Sequence, residues 1–407
     1  MTTLTTADRT AVPPDASAFA ALSPEAPDAL LALIGMHARD ERPGKLDLGV
    51  GVYRDAEGHT PIFSAVKTAE HLLAANQRSK SYLGPEGDAR FTALLAELLF
   101  GEPSGEAFVG LQTPGGTGAL RLGAELLARG APGRRIWIGD PTWANHVPVL
   151  KAAGLTPAPH RFFDRARSDL DFEAMMHDLA AAKAGDVLLL HGCCHNPTGI
   201  SFSHAQWVRI ADHCANTGVL PFIDLAYHGL GSGLDADAEG LRTLAGRVPE
   251  ALVAYSCDKN FGLYRERVGA LWVQAASPAM ADTVRSNLYA LARVNWSMPP
   301  DHGAAAVRLI LEDPALRGEW QRELTAMRQR IAAIRRLLGA EHPLLAPIAC
   351  QQGMFAMLPI DGEAVRDLRV KHGIYMAGNG RINLAGLDEA VIGPFVAALM
   401  PHLGDRQ

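Results

Sequence analysis

Between residues 135 and 273 the chain alternates short apolar runs with stretches of helical periodicity. Apolar runs of four to eight residues bounded by turns are typical of strands buried on both faces, and helices between them favour parallel pairing. Residues 204–216, for example, have helical spacing and lie between two such runs. The runs begin at Arg135, Val187, Leu220 and Ala251. The sequence therefore predicts an α/β fold with a mostly parallel sheet between two layers of helices.

A different pattern follows Asp313-Pro314. This pair is a helix start signal, because aspartate is a good N-cap and proline is favoured in the first turn. Apolar residues then recur at three- and four-residue spacing, which predicts a long helix with one buried face. We expect these residues to be core residues without a role in ligand binding: Leu324, Met327, Ile331, Ile334 and Leu338. Two short strand patterns, 353–358 and 380–385, complete a smaller C-terminal part.

Composition and charge narrow the classes of function. The chain of 407 residues is 48% hydrophobic and carries a formal net charge of -6, so it lacks the basic excess of a nucleic-acid-binding surface. No run approaches the roughly 18 apolar residues of a membrane span. Residues 1–26 lack the pattern of a secretory signal, and we expect a flexible tail there. The 5 cysteines do not form a disulfide framework, which favours a reducing, cytoplasmic location.

The most informative stretch is 251–269, where an apolar run ends in a polar turn that contains Lys259. Ligand clefts of open α/β sheets lie beyond the carboxyl ends of parallel strands, so a lysine here can reach a ligand. Most lysines, in contrast, are solvated surface charges. Ser256 and Arg267 change this balance, because a hydroxyl and a guanidinium are groups that hold a phosphate. We therefore interpret Lys259 as a candidate nucleophile beside a phosphate site.

Two further strand ends carry polar groups. The glycine-rich turn at 113–120 precedes a good helix through Arg129, and free amide groups at such a helix start bind anions. Glycine turns before helices are common, so this signal counts only together with Ser256 and Arg267. Asp224 ends another apolar run, and a buried carboxylate is unfavourable without a partner. We expect a bound ligand to supply that partner.

Residues 191–195 contain two histidines and two cysteines, a combination that suggests zinc. In an extended segment neighbouring side chains point to opposite faces. We therefore expect that Cys193 and Cys194 do not bind one ion together, and that the protein has no metal site.

Residues 256–269 read SCDKNFGLYRERVG, which resembles the segment SxxKNFGLYxERVG of the pyridoxal-phosphate-dependent aspartate and aromatic aminotransferases of class I. The resemblance extends from about Pro27 to Leu387. It implies the type I fold of pyridoxal-phosphate-dependent transferases, with a mostly parallel seven-stranded sheet in a large cofactor-binding domain and a smaller α/β domain. Residues 61–313 would form the large domain, and residues 27–60 and 314–407 the small one.

The resemblance also implies a role for each candidate cofactor residue. Lys259 would bind pyridoxal 5'-phosphate covalently and act as general base and acid. Asp224 would pair with the ring nitrogen and make the ring an electron sink. Tyr227 and Asn196 would hydrogen-bond the phenolic oxygen, and Trp143 would stack on the ring. The phosphate would be held by Gly115, Gly116, Thr117, Ser256, Arg267 and Tyr82.

Substrate recognition is implied in the same way. Arg381 interrupts an apolar strand, and its guanidinium would bind the substrate α-carboxylate in a two-bond fork. Arg293 would bind the second carboxylate of aspartate or glutamate across a subunit interface. Tyr82 would also come from the partner subunit, so a homodimer with shared active sites is expected. Residues 46–54 resemble a small-domain strand at the substrate mouth, and the other substrate-side residues would be Gly51, Trp143 and Asn196.

Several positions depart from the pattern of the aspartate enzymes: Ser81, Cys257, Asp258, Trp296 and Met298. Met298 replaces an asparagine and favours a larger or aromatic side chain in the substrate. Asp258 replaces a serine, and its direction, outward or toward the phosphate, is left open. The expected function is amino-group transfer between aspartate, or an aromatic amino acid, and 2-oxoglutarate in a two-step exchange.

Three alternatives have different requirements. A pyridoxal-phosphate-dependent β-lyase or decarboxylase acting on an acidic amino acid would share the fold, but Arg293 and Arg381 together would fix two carboxylates. A transcription regulator would need a DNA-binding module that the residues before 27 are too few to supply. A nicotinamide dehydrogenase would need a third glycine after Gly49 and Gly51, and Arg54 occupies that place.

Overall fold

The computed structural model describes residues 18–25, 29–101 and 105–404, so the predicted tail 1–26 lies mostly outside the described residues. The helices are α1 (Ala29–Arg39), α2 (Ser64–Asn76), α3 (Ala89–Phe100), α4 (Gly115–Gly130), α5 (His146–Ala152), α6 (Phe172–Leu179), α7 (His204–Thr217), α8 (Leu234–Ala245), α9 (Pro278–Asn295), α10 (His302–Glu312), α11 (Pro314–Ala340), α12 (Gly362–His372) and α13 (Glu389–Leu399). The strands are β1 (Leu46–Asp47), β2 (Phe108–Pro114), β3 (Arg135–Asp140), β4 (Thr156–Arg161), β5 (Phe163–Asp164), β6 (Asp169–Leu170), β7 (Val187–His191), β8 (Leu220–Leu225), β9 (Ala251–Ser256), β10 (Val268–Gln274), β11 (Phe355–Met357), β12 (Ile374–Tyr375) and β13 (Arg381–Asn383). Within these residues, no helix has the length and apolar character needed to cross a membrane.

The central sheet has 7 strands in the order β2-β10-β9-β8-β7-β3-β4. Strands β9, β8, β7, β3 and β4 pair in parallel, and β10 is antiparallel to both of its neighbours. The predicted mostly parallel sheet is therefore confirmed. Because β10 alone runs the other way, its first residue lies at the edge where the other six strands end.

Both faces of this sheet are buried, as the continuous apolar runs predict. Leu188 and Leu190 of β7 pack into one core cluster, and Val187 and Leu189 pack into the other. Side chains alternate between the faces of a strand, so a run of consecutive leucines needs a helical layer on each side. Helix α4 supplies part of one layer, and α7 and α8 supply part of the other.

The long helix α11 begins where the sequence predicts. The Asp313 carboxylate accepts hydrogen bonds from the backbone N–H groups of Ala315, at 2.8 Å, and Leu316, at 3.1 Å, which satisfies two of the free amides at the helix start. The five apolar residues predicted for its buried face are all buried. Three of them join one core of the sheet domain, and two join a separate core in the C-terminal part.

That C-terminal core also includes a piece of the N-terminal segment. Strand β1 pairs in parallel with β12, so Leu46 lies beside Ile374, while β11 and β13 form an antiparallel pair. The strand expected over 46–54 is much shorter, because the Asp47 carboxylate accepts hydrogen bonds from the N–H groups of Gly49 and Val50 and so turns the chain. The division at 60/61 and 313/314 stays a prediction.

Candidate active site

The sheet topology brings the candidate residues to one edge. Strands β2, β3, β7, β8 and β9 end there, and β10 begins there. A cavity of about 240 Å³ opens at this edge, which is the general location of ligands in open α/β sheets. Predicted residues in its lining are Gly51, Gly116, Thr117, Trp143, Asn196, Asp224, Tyr227, Ser256, Lys259, Arg267 and Arg381. Leu30, Leu120, His191, Ala226, Asp258 and Phe355 also line it.

Lys259 lies in the turn after β9 and points its amine over the Tyr227 ring, with Nζ 5.4 Å from the ring centroid. Burial lowers the pKa of this amine, and the carboxylates of Asp258 and Asp224 oppose that shift. No hydrogen-bond partner of Nζ is found in the described part of the chain. A lysine with a lowered pKa has more of its neutral form near pH 7, and only that form is a nucleophile or a base.

Asp224 is 5% exposed and lies at the end of β8. Its Oδ2 is 3.0 Å from Nε2 of His146, and Nδ1 of the same ring is 2.7 Å from the Thr142 hydroxyl. A carboxylate only accepts, so we assign the hydrogen to Nε2, and Nδ1 then accepts from Thr142. Burial raises the pKa of Asp224, but the hydrogen bond from His146 and attraction to His191 and Lys259 lower it more, and the net shift is downward. Asp224 therefore stays ionised at the floor of the cavity.

The same cavity also contains a pocket for an anion. Helix α4 begins at Gly115, where φ is +70°, and no side chain caps its first amides. A Cβ at Gly115 would lie 2.5 Å from Nη2 of Arg267, and one at Gly116 would lie 3.0 Å from Cβ of Ser256. Glycine is thus required where the backbone approaches the guanidinium. Free amides, a helix dipole and a guanidinium together form an anion cradle.

Arg381 crosses the mouth of the cavity from β13. Its Nη2 donates to the carbonyl oxygen of Gly49 at 2.6 Å, and Nη1 donates to Oδ1 of Asn196 at 3.5 Å. Its guanidinium carbon lies 4.5 Å from the centroid of the Phe355 ring, while Nε is buried without a partner among the described residues. Burial lowers the pKa of Arg381. An unpaired buried donor and a weakly solvated cation favour a bound carboxylate.

Asn196 and Tyr227 complete the floor. The side-chain amide of Asn196 donates to the Tyr227 hydroxyl at 3.4 Å, and burial raises the pKa of Tyr227. Trp143 lies beside His146, with ring centroids 5.3 Å apart and the planes nearly perpendicular. The two hydrogen-bonding groups and the indole thus line the same cavity.

Tyr82 and Arg293 do not join this group. Tyr82 is 95% exposed, and Arg293 is exposed in the last turn of α9, where it donates to the Ser297 hydroxyl. Neither lines the cavity in the described chain.

The geometric argument about the two cysteines was wrong. Cys194 has a φ of +50°, so the segment is not extended there, and the sulfurs of Cys193 and Cys194 lie within 4.8 Å of each other and of the Asp237 carboxylate. That carboxylate already accepts hydrogen bonds from the N–H groups of Gly229, Gly231 and Ser232. A hydrogen bond to Cys194, together with burial, raises the pKa of the Cys193 thiol. The group is therefore suited to protonated thiols, and the absence of a metal stays a prediction.

Comparison with known proteins matches residues 43–399 to the family model of class I and II aminotransferases. The chain is 55% identical to a tyrosine aminotransferase of Rhizobium meliloti over 91% of this chain and 97% of that protein. It is 43% identical to an aspartate aminotransferase of Escherichia coli over 92% of this chain and 98% of that protein. A solved aromatic-amino-acid aminotransferase of Burkholderia pseudomallei, covalently bound to pyridoxal phosphate, superposes with a TM-score of 0.92 at 35% identity, over 95% of this chain and 100% of that one.

The chain therefore belongs to the class I and II aminotransferases, in the subgroup that contains the aspartate and aromatic enzymes. It is an amino-acid aminotransferase with the type I fold of pyridoxal-phosphate-dependent enzymes. The names of the relatives favour transamination over the lyase or decarboxylase alternative.

Proposed function

We propose that the cavity binds pyridoxal 5'-phosphate at Lys259 and that the enzyme transfers amino groups from aspartate and from aromatic amino acids to 2-oxoglutarate. The observation that carries the proposal is the position of Lys259, whose pKa is lowered, between an anion cradle and an ionised, buried carboxylate. A flat, zwitterionic cofactor with a phosphate at one end and a ring nitrogen at the other fits this charge distribution.

The residues around the cavity divide the binding of the cofactor among them. Gly115, Gly116 and Thr117 would present amides to the phosphate together with Ser256 and Arg267, and Asp224 would pair with the ring nitrogen. Trp143 would stack on the ring, while Asn196 and Tyr227 would hydrogen-bond the phenolic oxygen. When bound, the cofactor serves as an electron sink that weakens the bonds at the substrate α-carbon.

Substrate binding uses the mouth of the cavity. Arg381 holds the α-carboxylate through its unpaired Nε and one Nη, and Gly51, whose Cβ would lie 2.9 Å from the Phe355 ring, keeps the entrance open. The Lys259 amine would move the proton at the substrate α-carbon, first as base and then as acid. Arg293 binds a second carboxylate when the substrate has one.

The positions of Tyr82 and Arg293 support active sites that two subunits share. Both residues are exposed, and the backbone N–H of Leu83 donates to Sδ of Met298 at 3.2 Å, which joins their two segments into one surface. A homodimer that buries this surface brings the Tyr82 hydroxyl to the phosphate and Arg293 to the substrate of the other subunit.

The division into domains 27–60 with 314–407 and 61–313 is part of the proposal. So is a cytoplasmic location, which the 5 unpaired cysteines support.

Single-turnover mixing tests this proposal. The protein is loaded with pyridoxal phosphate and mixed with aspartate, phenylalanine or tyrosine, and the absorbance of the lysine-bound cofactor is followed. We expect conversion with both classes of substrate, because each has the α-carboxylate that Arg381 binds. Arg293, on an exposed helix end, is needed only for a second carboxylate. No conversion with any of the three would contradict the proposal.

A further inference from the structure

Asp258, which stands directly before Lys259, lies inside the anion cradle. Its side chain is 5% exposed, and Oδ2 accepts a hydrogen bond from Nη1 of Arg267. Its backbone N–H donates to the Ser256 hydroxyl at 3.3 Å. The carboxylate thus contacts the same guanidinium that lies against Gly115, and it points toward the phosphate site.

The pair between Asp258 and Arg267 is incomplete. Oδ1 of Asp258 is buried without a hydrogen-bond partner among the described residues, so the two side chains do not form the two-bond fork that a guanidinium and a carboxylate prefer. A buried carboxylate oxygen without a donor is unfavourable. This arrangement leaves the carboxylate only partly satisfied.

We propose that Asp258 is an internal anion that competes with the cofactor phosphate for Arg267. This inference rests on the proposed cofactor site and extends it to the strength and exchange of cofactor binding. Before the cofactor binds, Asp258 neutralises Arg267. When a phosphate enters the cradle, it takes the guanidinium, and the carboxylate remains a few ångströms away as a like charge.

The surrounding charges make this competition strong. Among the described residues, Arg267, which directly precedes β10, is the only cationic side chain paired with Asp258, and the other two cations of the cavity lining are Lys259 and Arg381. The other groups that face the phosphate position are neutral: the amides at the start of α4 and the Ser256 hydroxyl on β9. A single guanidinium therefore serves two anions, and the Asp258 carboxylate, whose side chain is 5% exposed, is poorly screened by solvent and repels a second anion beside it.

With Asp258, the cofactor therefore binds more weakly and exchanges more readily than it would with a neutral residue at position 258. Pyridoxal, which lacks the phosphate, leaves the Asp258–Arg267 pair intact and does not meet the competition. The ratio of the dissociation constants of pyridoxal and pyridoxal phosphate therefore isolates the effect of Asp258. Both ligands bond to the same lysine, so any change in Lys259 cancels in this ratio.

The test uses the cofactor-free full-length protein as wild type, Asp258→Ser and Asp258→Asn. Pyridoxal phosphate and pyridoxal are titrated in, and formation of the covalent bond to Lys259 is followed by absorbance. We expect both variants to bind pyridoxal phosphate at least about tenfold more tightly, with the ratio to pyridoxal raised by the same factor. Inorganic phosphate, used as a competitor, should inhibit binding at correspondingly lower concentrations.

Asp282→Asn is the matched control, because it removes a carboxylate whose side chain is 74% exposed on α9, and its ratio should equal that of wild type. An unchanged or lowered ratio in both Asp258 variants would overturn the inference while leaving the proposed function intact. Failure of the wild-type protein to form a covalent bond with either ligand would instead contradict the proposed function. Thermal melting of each cofactor-free variant shows whether it is folded. If Asp258→Ser does not fold, the test uses Asp258→Asn, which keeps the size of the side chain.

Discussion

The floor of the active site, at Asp224, Asn196 and Tyr227, is organised by one chain alone. The rim, which we define as the exposed segments around Tyr82 and Arg293, is not. On the floor, Asp224 and Tyr227 are each 5% exposed, and each has a hydrogen-bond partner from another element. On the rim, Tyr82 is 95% exposed and Val294, next to Arg293, is 83% exposed. A single chain thus organises the groups for cofactor chemistry, whereas the rim exposes large apolar side chains, as the proposed homodimer requires.

The largest effect is expected from the residue at the centre of the floor. Lys259→Ala removes the nucleophile and the proton-transfer group together, so turnover should fall by at least about 10⁴-fold. Steady-state assays and loss of the covalent cofactor absorbance measure it. The exposed Lys183, replaced by alanine, is the control and should leave activity unchanged. Near-normal turnover of Lys259→Ala would contradict the assignment of the catalytic residue.

Asp224 should come next. Asp224→Asn removes the charge that His146 supports and leaves the ring nitrogen without an anion, so the rate should fall by about 10²- to 10³-fold, the usual cost of removing one preorganised electrostatic contact. Turnover at saturating cofactor measures this loss. Asp235→Asn, at a side chain that is 97% exposed, should retain wild-type activity. Equal activities of the two variants would show that the floor does not depend on this carboxylate.

The two arginines should differ in the substrates whose turnover depends on them. Arg381→Ala should lower kcat/KM for aspartate and for phenylalanine alike, by about 10- to 150-fold for each charge-assisted hydrogen bond lost. Arg293→Ala should lower it for aspartate only, by a similar factor. Steady-state kinetics with both amino acids measure the difference. Equal losses for the two substrates in Arg293→Ala would show that this arginine is not selective for a second carboxylate.

A smaller effect is expected at Tyr82. Tyr82→Phe removes one hydrogen bond to the phosphate, and the dissociation constant of pyridoxal phosphate should rise by about tenfold. Binding of pyridoxal, which has no phosphate, should stay the same. If both ligands weaken equally, Tyr82 acts on folding or assembly and has no direct contact with the phosphate.

The smallest expected effect is a shift in pH dependence. Burial lowers the pKa of Lys259 from its ordinary 10.5, Arg267 lowers it further, and Asp258 raises it. The rate of covalent bonding to pyridoxal rises as the amine loses its proton, so its midpoint should lie below pH 10.5 in wild type. Asp258→Asn should move the midpoint down and Arg267→Gln should move it up. Shifts in the same direction would show that these charges do not act on Lys259.

The sequence predicts those residues of the site that stand at the end of an apolar run. Lys259, Asp224 and the Gly115 turn each follow an apolar run, and parallel strands end at one edge, so their meeting is predictable. Their individual roles came from the resemblance. His146, His191 and Phe355 were missed. His191 ends an apolar run just as Asp224 does and could have been found. Phe355 lines the cavity and His146 contacts Asp224, and tertiary packing places both of them.

Two features are not readable from the sequence for physical reasons. The contact between Cys193 and Cys194 depends on the single positive φ of Cys194, which no periodicity encodes. The direction of the Asp258 side chain depends on Arg267, which has a φ of +55° and stands nine positions later in the chain. Local patterns set the elements and their faces, while such individual torsions are set by the packed structure.

Subunit complementation tests the contrast between floor and rim most directly. Lys259→Ala and Arg293→Ala chains are unfolded, mixed, refolded and assayed with aspartate. If the rim arginine serves the other subunit, each mixed dimer has one intact site, and the mixture should recover about a quarter of wild-type activity. Lys259→Ala mixed with Arg381→Ala is the control, because both residues line the same cavity of one chain, and this mixture should recover no activity. No recovery in the first mixture, or equal recovery in both, would contradict the account.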